Sequence, residues 1–208
     1  MILSLINFYK FDGNGKDYNG VGPTNSVGYT VFNGETVGYS AAYINLTPMK
    51  SDFTLSFDMY RYTLVADWST DYGIGNVSWG TGFGAEAGLF CVGYWQGYGY
   101  PNLILIKNWG ENHGDLKTPR SETINKWLHI EIHRKEKQYD ILYDGVTKLI
   151  WTDSQIPTVN HIYFYNAGSN QTGGGYFKNI RIYDNYYEES MECLHKLYNL
   201  KDNMYGNR

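Results

Sequence analysis

The sequence lacks most features that mark a secreted, membrane-spanning or disordered protein. Of its 208 residues two are cysteine and five are proline, and 18% are charged, which is below the usual quarter or so. No run approaches the 18 or so apolar residues of a membrane helix. The start of the chain has no basic region followed by an apolar run, so we expect no secretory signal. We therefore expect Cys91 and Cys193 to be reduced thiols rather than a disulfide.

The chain also lacks an excess of positive charge. It has 17 Lys and Arg against 21 Asp and Glu, for a net charge of −4. This balance gives no electrostatic attraction to phosphate, so we expect neither nucleic-acid binding nor membrane insertion. What the chain does have is 21 tyrosines, 24 glycines and a 42% share of hydrophobic residues. Such a composition is typical of a folded, aromatic-rich domain and not of a disordered one.

Alternation of apolar and polar residues predicts that the domain is built from strands. In 53–59 and 127–133 every second residue is apolar, which is typical of half-buried strands. Asp144-Gly145 stands between two such runs and predicts a hairpin turn. Helical spacing is found only in 188–198, where we expect one short C-terminal helix. The pattern predicts an all-β, two-sheet antiparallel sandwich over residues 1–200, followed by a polar tail over 201–208.

Several segments, in this order, carry a resemblance to a known family. They are Phe8 to Gly20, Asp52 to Phe57, Lys126 to Ile130, Tyr143 to Gly145 and Tyr176 to Asp184. Together they resemble laminin-G-like domains of the concanavalin A-like lectin/glucanase superfamily. The resemblance implies a two-sheet antiparallel jelly roll. It does not choose a function, because this superfamily holds lectins, glycosidases and adhesion modules.

Sequence motifs for catalysis are not found. Retaining glucanases of this superfamily carry paired carboxylates on one strand face, about 5–5.5 Å apart, and no acidic residues have that spacing here. His129 and His133 would lie ~13 Å apart on a strand, too far to share a zinc ion. We interpret the two histidines as part of a solvated strand face, and Trp127 and Phe177 as core residues. The sequence therefore predicts no enzyme and no catalytic residue, with a glycoside hydrolase as the least favoured alternative.

One Gly-rich turn near the start of the chain offers oxygen ligands at short intervals. Asp12, Asn14 and Asp17 are of the type that Ca²⁺ prefers. The favoured interpretation is a plain Asx-rich turn, and a calcium site is the alternative. No other cofactor is expected.

The middle of the chain, residues 66–119, predicts a ligand site. Its aromatic residues are spaced by glycines, which allow tight bends and leave flat rings accessible. Sugars bind to such rings by stacking, and amide side chains bind their hydroxyls. Core packing or a subunit contact is the competing interpretation of the same rings. The candidate ligand-binding residues are Trp95, Gln96, Tyr98, Tyr100, Asn102, Asn108 and Trp109.

These observations lead to one favoured function and one rival. The favoured hypothesis is a non-catalytic, lectin-like module that binds a glycan or cell-surface polysaccharide. A laminin-G-like domain that begins with Met1, has no signal and is rich in Asn and Tyr also resembles bacteriophage appendage proteins. We therefore expect a virion protein made in the host cytoplasm, or otherwise a protein of the extracellular surface. The rival is a structural assembly or decoration protein that forms a homo-oligomer or contacts other virion proteins.

Overall fold

The structure is a computed structural model and describes the strands and most of the second half of the chain. The described residues are 5–9, 31–33, 36–39, 42–49, 51–61, 68–75, 88–95, 102–106, 112–154, 158–166 and 175–183. They form an all-β sandwich of two antiparallel sheets, as the sequence predicted.

The first sheet contains eight strands within the described residues, in the order β12-β11-β10-β5-β14-β3-β2, with β1 also paired to β14. Their bounds are β1 Leu5–Tyr9, β2 Val31–Asn33, β3 Thr36–Tyr39, β5 Phe53–Arg61, β10 Trp127–Lys135, β11 Gln138–Tyr143, β12 Val146–Thr152 and β14 Gly175–Tyr183.

The second sheet contains six strands within the same residues, in the order β4-β13-β6-β7-β8-β9. Their bounds are β4 Ala42–Met49, β6 Trp68–Gly75, β7 Gly88–Trp95, β8 Asn102–Ile106, β9 Asn112–Pro119 and β13 Val159–Asn166. A short 3₁₀ helix, Arg120–Glu122, follows β9.

The core lies between the sheets and follows from the alternation in the sequence. Successive side chains of a strand point to opposite faces, so the buried apolar residues of β5 and β10 lie at every second position, and those of β14 do so on either side of its register shift. These residues include Phe53, Leu55, Phe57, Met59, Leu128, Ile130, Ile132, Phe177, Ile180 and Ile182. The hairpin predicted at Asp144-Gly145 is confirmed, since the two residues have φ of 47° and 81° and connect β11 to β12.

Polar contacts between described residues connect the sheets at the buried carboxylate of Asp71 and at a pair of tyrosine hydroxyls. Asp71 on β6 accepts hydrogen bonds from Arg120 Nη1 at 2.7 and 2.6 Å, and Arg61 Nη1 of β5 lies 3.3 Å from Asp71 Oδ1. The hydroxyls of Tyr72 and Tyr143 lie 3.1 Å apart. Because Arg61 and Asp71 are fully buried, water does not solvate their charges, and each charge is compensated by the other.

The middle of the chain is more regular than the sequence suggested. Parts of 66–119 form β6, β7, β8 and β9, which are neighbours in the second sheet. Tyr72 and Phe90 belong to the core, at 0% and 1% exposure. The glycine-spaced aromatics are therefore in part core residues. The predicted C-terminal helix in 188–198 and the tail 201–208 lie outside the described residues.

Candidate binding face on the first sheet

The side of the first sheet that points away from the core, here called the outer face, carries a regular grid of side chains. β5 lies between β14 and β10, and backbone pairing aligns their outward residues in rows. Neighbouring positions are ~4.8 Å apart between strands and ~7 Å apart along a strand. The rows, from β14 through β5 to β10, are Tyr176–Tyr60–Trp127, Lys178–Asp58–His129, Arg181–Ser56–Glu131 and Tyr183–Thr54–His133.

Exposure on β5 and β10 falls from the first row to the last. Trp127 is 39% exposed, and the side chains of Asp58 and His129 are 20% and 33% exposed. The residues of β5 and β10 in the third and fourth rows are all buried. We call the first two rows the open end of the outer face and the last two its closed end.

The first row is a cluster of aromatic rings, here called the platform (Tyr60, Trp127 and Tyr176). The centroid of the Tyr60 ring lies 5.7 Å from that of Trp127 and 6.2 Å from that of Tyr176. Lys178 of the second row places its Nζ 4.6 Å from the centroid of the Trp127 ring, in a cation–π contact. The platform therefore combines exposed aromatic surface with an adjacent cation.

A chain of polar contacts begins beside the platform and continues toward the closed end. Asp58 Oδ2 accepts a hydrogen bond from Asn179 Nδ2 at 2.6 Å, and Asp58 Oδ1 lies 2.6 Å from His129 Nδ1. His129 Nε2 is 3.7 Å from Glu131 Oε1. The other oxygen of Glu131 lies 2.9 Å from His133 Nε2. One carboxylate of this chain is half-exposed and the other is buried.

The contact between Asp58 and His129 favours the ionised form of both. Burial alone would lower the pKa of His129, but the hydrogen bond to Asp58 and the charges of Asp58 and Glu131 outweigh it and raise that pKa. Burial would likewise raise the pKa of Asp58, but hydrogen bonds from His129 and Asn179, with the charges of His129 and Arg181, lower it. Asp58 is thus an ionised acceptor, and Nδ1 of His129 carries the proton between them.

A β-bulge supplies the amide that holds Asp58. The pairing of β14 with β5 shifts between Lys178 and Arg181, and Asn179 at the shift has φ of 54°. Asparagine tolerates this left-handed conformation better than most residues. Bulges re-aim side chains, and here the Asn179 amide contacts a carboxylate of the neighbouring strand.

Two sequence-based interpretations of β10 are wrong. Trp127, interpreted as core, is 39% exposed, and His133, interpreted as solvated, is 5% exposed. Leu128 points into the core, so its neighbour Trp127 must point outward. The same alternation could have shown from the sequence that Trp127 points away from the core. Phe177, also interpreted as core, is confirmed at 0% exposure.

Most of the predicted ligand and calcium residues lie outside the described part of the chain. These are Gln96, Tyr98, Tyr100, Asn108, Trp109, Asp12, Asn14 and Asp17. Trp95 is the last residue of β7 and Asn102 the first of β8, so the backbone brings these two to the same hairpin. Asn102 Nδ2 donates a hydrogen bond to Asp115 Oδ2 at 3.1 Å. The predictions for this hairpin and for calcium stay predictions.

No group of three or more His, Cys, Asp or Glu side chains in the described ranges is placed to hold a metal ion. Among the same residues no helix has the length and apolar character needed to cross a membrane.

Comparison with solved structures finds the same fold in larger proteins. Sialidase from Trypanosoma rangeli matches with a TM-score of 0.63 and 14% identity, over 88% of this chain and 31% of the sialidase chain. The binding domain of botulinum neurotoxin DC, solved with rat synaptotagmin II, matches with 0.61 and 14%, over 89% and 49%. The botulinum neurotoxin serotype G binding domain matches with 0.59 and 16%, over 96% and 51%.

These likenesses concern the fold alone, because the sequence identities are low. The chain spans about a third of the sialidase and half of each neurotoxin domain. No protein-family model and no curated protein sequence matches the chain. The resemblance to laminin-G-like domains is thus supported as a β-rich fold and not as that family.

The sialidases contradict the prediction that the chain is not an enzyme, because these enzymes contain the same fold over 31% of their chains. That prediction rested on the missing carboxylate pair of retaining glucanases. Sialidases use a tyrosine nucleophile in place of that pair. The missing motif was therefore no basis for excluding catalysis.

Proposed function

We propose that this protein binds carbohydrate at the open end of the outer face. The observation that carries the proposal is the platform beside Asp58, with Trp127 39% exposed and the Asp58 side chain 20% exposed. Aromatic rings offer flat apolar surface to the C–H face of a sugar. A few placed polar groups then fix the orientation of the ligand, as is usual in small-molecule sites.

The polar groups of the second row suit hydroxyl groups. Each carboxylate oxygen of Asp58 accepts one contact from the protein, and a carboxylate has about four acceptor positions in all. The remaining positions can accept sugar O–H groups. Lys178, in the same row, is a donor only. The open end therefore offers stacking, an acceptor and a donor within two rows.

The neighbouring structures support this proposal at the level of fold. Trypanosoma rangeli sialidase has been solved in complex with sialic acid, and botulinum neurotoxin binding domains share the same architecture. The solved structures that contain this fold thus include an enzyme in complex with a sugar and domains that are named for binding. The hairpin with Trp95 and Asn102 remains a second predicted contact region for the same glycan. Placement on a bacteriophage particle remains a prediction from the sequence.

A glycan array tests the proposal. The wild-type protein should bind a defined subset of glycans, and Trp127→Ala should lower the signal at least tenfold without changing the melting temperature by more than a few degrees. Val146→Ala is the matched control, because Val146 is an exposed apolar residue of the same sheet, at 57% exposure. The proposal fails if the wild-type protein binds no glycan, or if both variants bind as the wild type does.

A second candidate function, subunit contact, is favoured by β12. This strand ends the first sheet and exposes Val146 and Ile150, at 57% and 60%. Edge strands with exposed apolar residues pair readily with other chains. Size-exclusion chromatography with light scattering should detect a dimer that Ile150→Lys dissociates. A monomer at all concentrations would eliminate this candidate.

A further inference from the structure

On β5 and β10 the outer face is accessible at the open end and buried at the closed end. This difference limits how a glycan can lie along these two strands. The open end measures ~10 Å across the three strands and ~7 Å along them, which leaves room for about one or two hexose rings. Beyond it on β10 lie Glu131 and His133, which are 6% and 5% exposed. A glycan that ran along β5 or β10 past the second row would meet these buried side chains, whereas Arg181 and Tyr183 of β14 are half-buried.

The sheet also ends beside the platform. β11 pairs with β10 only from Ile130 onward, where Tyr143 is its partner, and the chain then turns at Asp144, whose Oδ1 accepts a hydrogen bond from the backbone N–H of His129. No β11 residue therefore extends the first row beyond Trp127. The platform is bounded by this turn on the β10 side and by the buried residues of the closed end along β5 and β10, whereas on the β14 side the first row continues to Gly38 of β3.

The carboxylate of Asp58 beside the platform can distinguish a terminal sugar from an internal one. Asp58 is an ionised acceptor, held by His129 and Asn179, and needs hydroxyl donors from its ligand. A non-reducing terminal sugar has lost only its anomeric hydroxyl to a linkage and keeps all the others, whereas an internal sugar has lost one more to the next residue. A substituted oxygen has no proton to donate, and a carboxylate that the bound sugar covers without supplying a donor is costly.

We propose that the open end of the outer face recognises the non-reducing terminal residue of a glycan, with the platform stacking on its ring and Asp58 accepting its free hydroxyls. This inference rests on the proposed function and names the class of ligand. His129 and Asn179 act as positioning residues, because they contact the carboxylate that would contact the sugar.

The test uses an array of length ladders. Di- to hexasaccharides of glucose, galactose, mannose and N-acetylglucosamine are printed with a free non-reducing end and with that end blocked by a methyl ether. For the sugar that binds, the signal should stay within about twofold from disaccharide to hexasaccharide. Methylation of the terminal hydroxyl at which the next residue of the chain would be attached should lower the binding signal at least tenfold.

Variants connect the effect to Asp58. Asp58→Asn should bind free and blocked ends with less than threefold difference, because the amide both donates and accepts. Asp140→Asn is the matched control, since Asp140 is an outward, half-buried carboxylate on β11 of the same sheet, and it should retain the tenfold discrimination. Circular dichroism melting verifies that both variants fold.

The outcomes separate this inference from the function on which it rests. Binding that rises tenfold or more with chain length and ignores the blocked end would overturn terminal recognition while leaving carbohydrate binding intact. Discrimination that survives in Asp58→Asn would remove Asp58 from the site. Absence of binding to every ladder would refute both proposals.

Discussion

Asp71 and Asp58 show how one residue type serves two purposes in this fold. Asp71 lies between the sheets at 0% side-chain exposure, with two arginines around it. Asp58 lies on the outer face at 20% side-chain exposure, beside His129 and Asn179. Around Asp71 two cations compensate a charge that water does not reach. Around Asp58 water, and therefore a ligand, still reaches the carboxylate. The comparison teaches that partner and exposure, not residue type, separate a structural carboxylate from a binding one.

The largest effect is expected from removing the buried carboxylate. Asp71→Ala leaves the charges of Arg61 and Arg120 without this partner and should lower the free energy of unfolding by about 3–5 kcal/mol. Urea denaturation measures the loss. Glu122→Ala is the control, because Glu122 is exposed on the adjacent 3₁₀ helix and its loss should stay within about 0.5 kcal/mol. A loss below 1 kcal/mol for Asp71→Ala would show that the two aspartates do not differ as described.

The next effect concerns binding and not stability. Asp58→Ala should weaken glycan binding about tenfold, equivalent to about 1.4 kcal/mol, and should lower the free energy of unfolding by no more than about 1 kcal/mol. Titration calorimetry with the strongest array glycan and urea denaturation provide the two numbers. If Asp58→Ala destabilised the protein as much as Asp71→Ala, the carboxylate on the outer face would be structural.

A smaller effect is expected at the hydroxyl pair between the sheets. Tyr72→Phe removes the partner of the Tyr143 hydroxyl, 3.1 Å away, and should cost about 1–2 kcal/mol of unfolding free energy. Tyr60→Phe, on the half-buried platform, is the matched change and should cost less than about 0.5 kcal/mol. Equal losses would contradict the contrast between the interior and the outer face.

The smallest effect is a pH dependence of stability from the outer face. The pKa of His129 is raised in the folded state, so its contribution is complete below the unfolded pKa of about 6.5 and is lost as pH rises through the folded value. The pKa of Asp58 is lowered, so its contribution is present above about 3.9 and is lost as pH falls through the folded value. The contact therefore stabilises most between these limits, by about 0.5 kcal/mol or less for a partly exposed pair.

Comparison with His129→Asn isolates this term. The asparagine amide can replace the Nδ1 donor without titrating. The difference in unfolding free energy between wild type and variant should decrease from pH 6 to pH 9. His161 has a pKa lowered first by burial and contributes equally to both proteins, so it cancels. A difference that does not change with pH would show that His129 does not titrate in this contact.

The strands of the first sheet could be predicted from the sequence because their alternation is strict. Phe53, Leu55 and Phe57 on one side of β5, with Thr54, Ser56 and Asp58 on the other, specify a strand and its two faces without any knowledge of its neighbours. The turn at Asp144-Gly145 was predictable for a similarly local reason, since it requires φ above zero at both residues. The second sheet was less visible because glycines interrupt the pattern in β6 and β7.

The candidate site could not be predicted, although several of its residues had been noted as parts of predicted strands. Asp58, His129 and Asn179 are separated by 71 and 50 positions, since 129 − 58 = 71 and 179 − 129 = 50. Local periodicity says that each of these strands has a polar face, but it contains no information on which strands are neighbours. The glycine-spaced aromatic residues of 66–119 were predicted as the site instead because they are close in sequence, and of these Tyr72 and Phe90 belong to the core.

The sequence by itself determined the fold class and the two faces of each strand, because the direction of a side chain along a strand depends only on position parity. It also indicated a protein that is rich in aromatic residues and has few charged ones. Only the tertiary structure decided that β5 lies between β10 and β14, in a register that places Tyr60 between Trp127 and Tyr176. Pairing is a long-range choice made by burying the common core face of all three strands, and the outer face is assembled as its consequence.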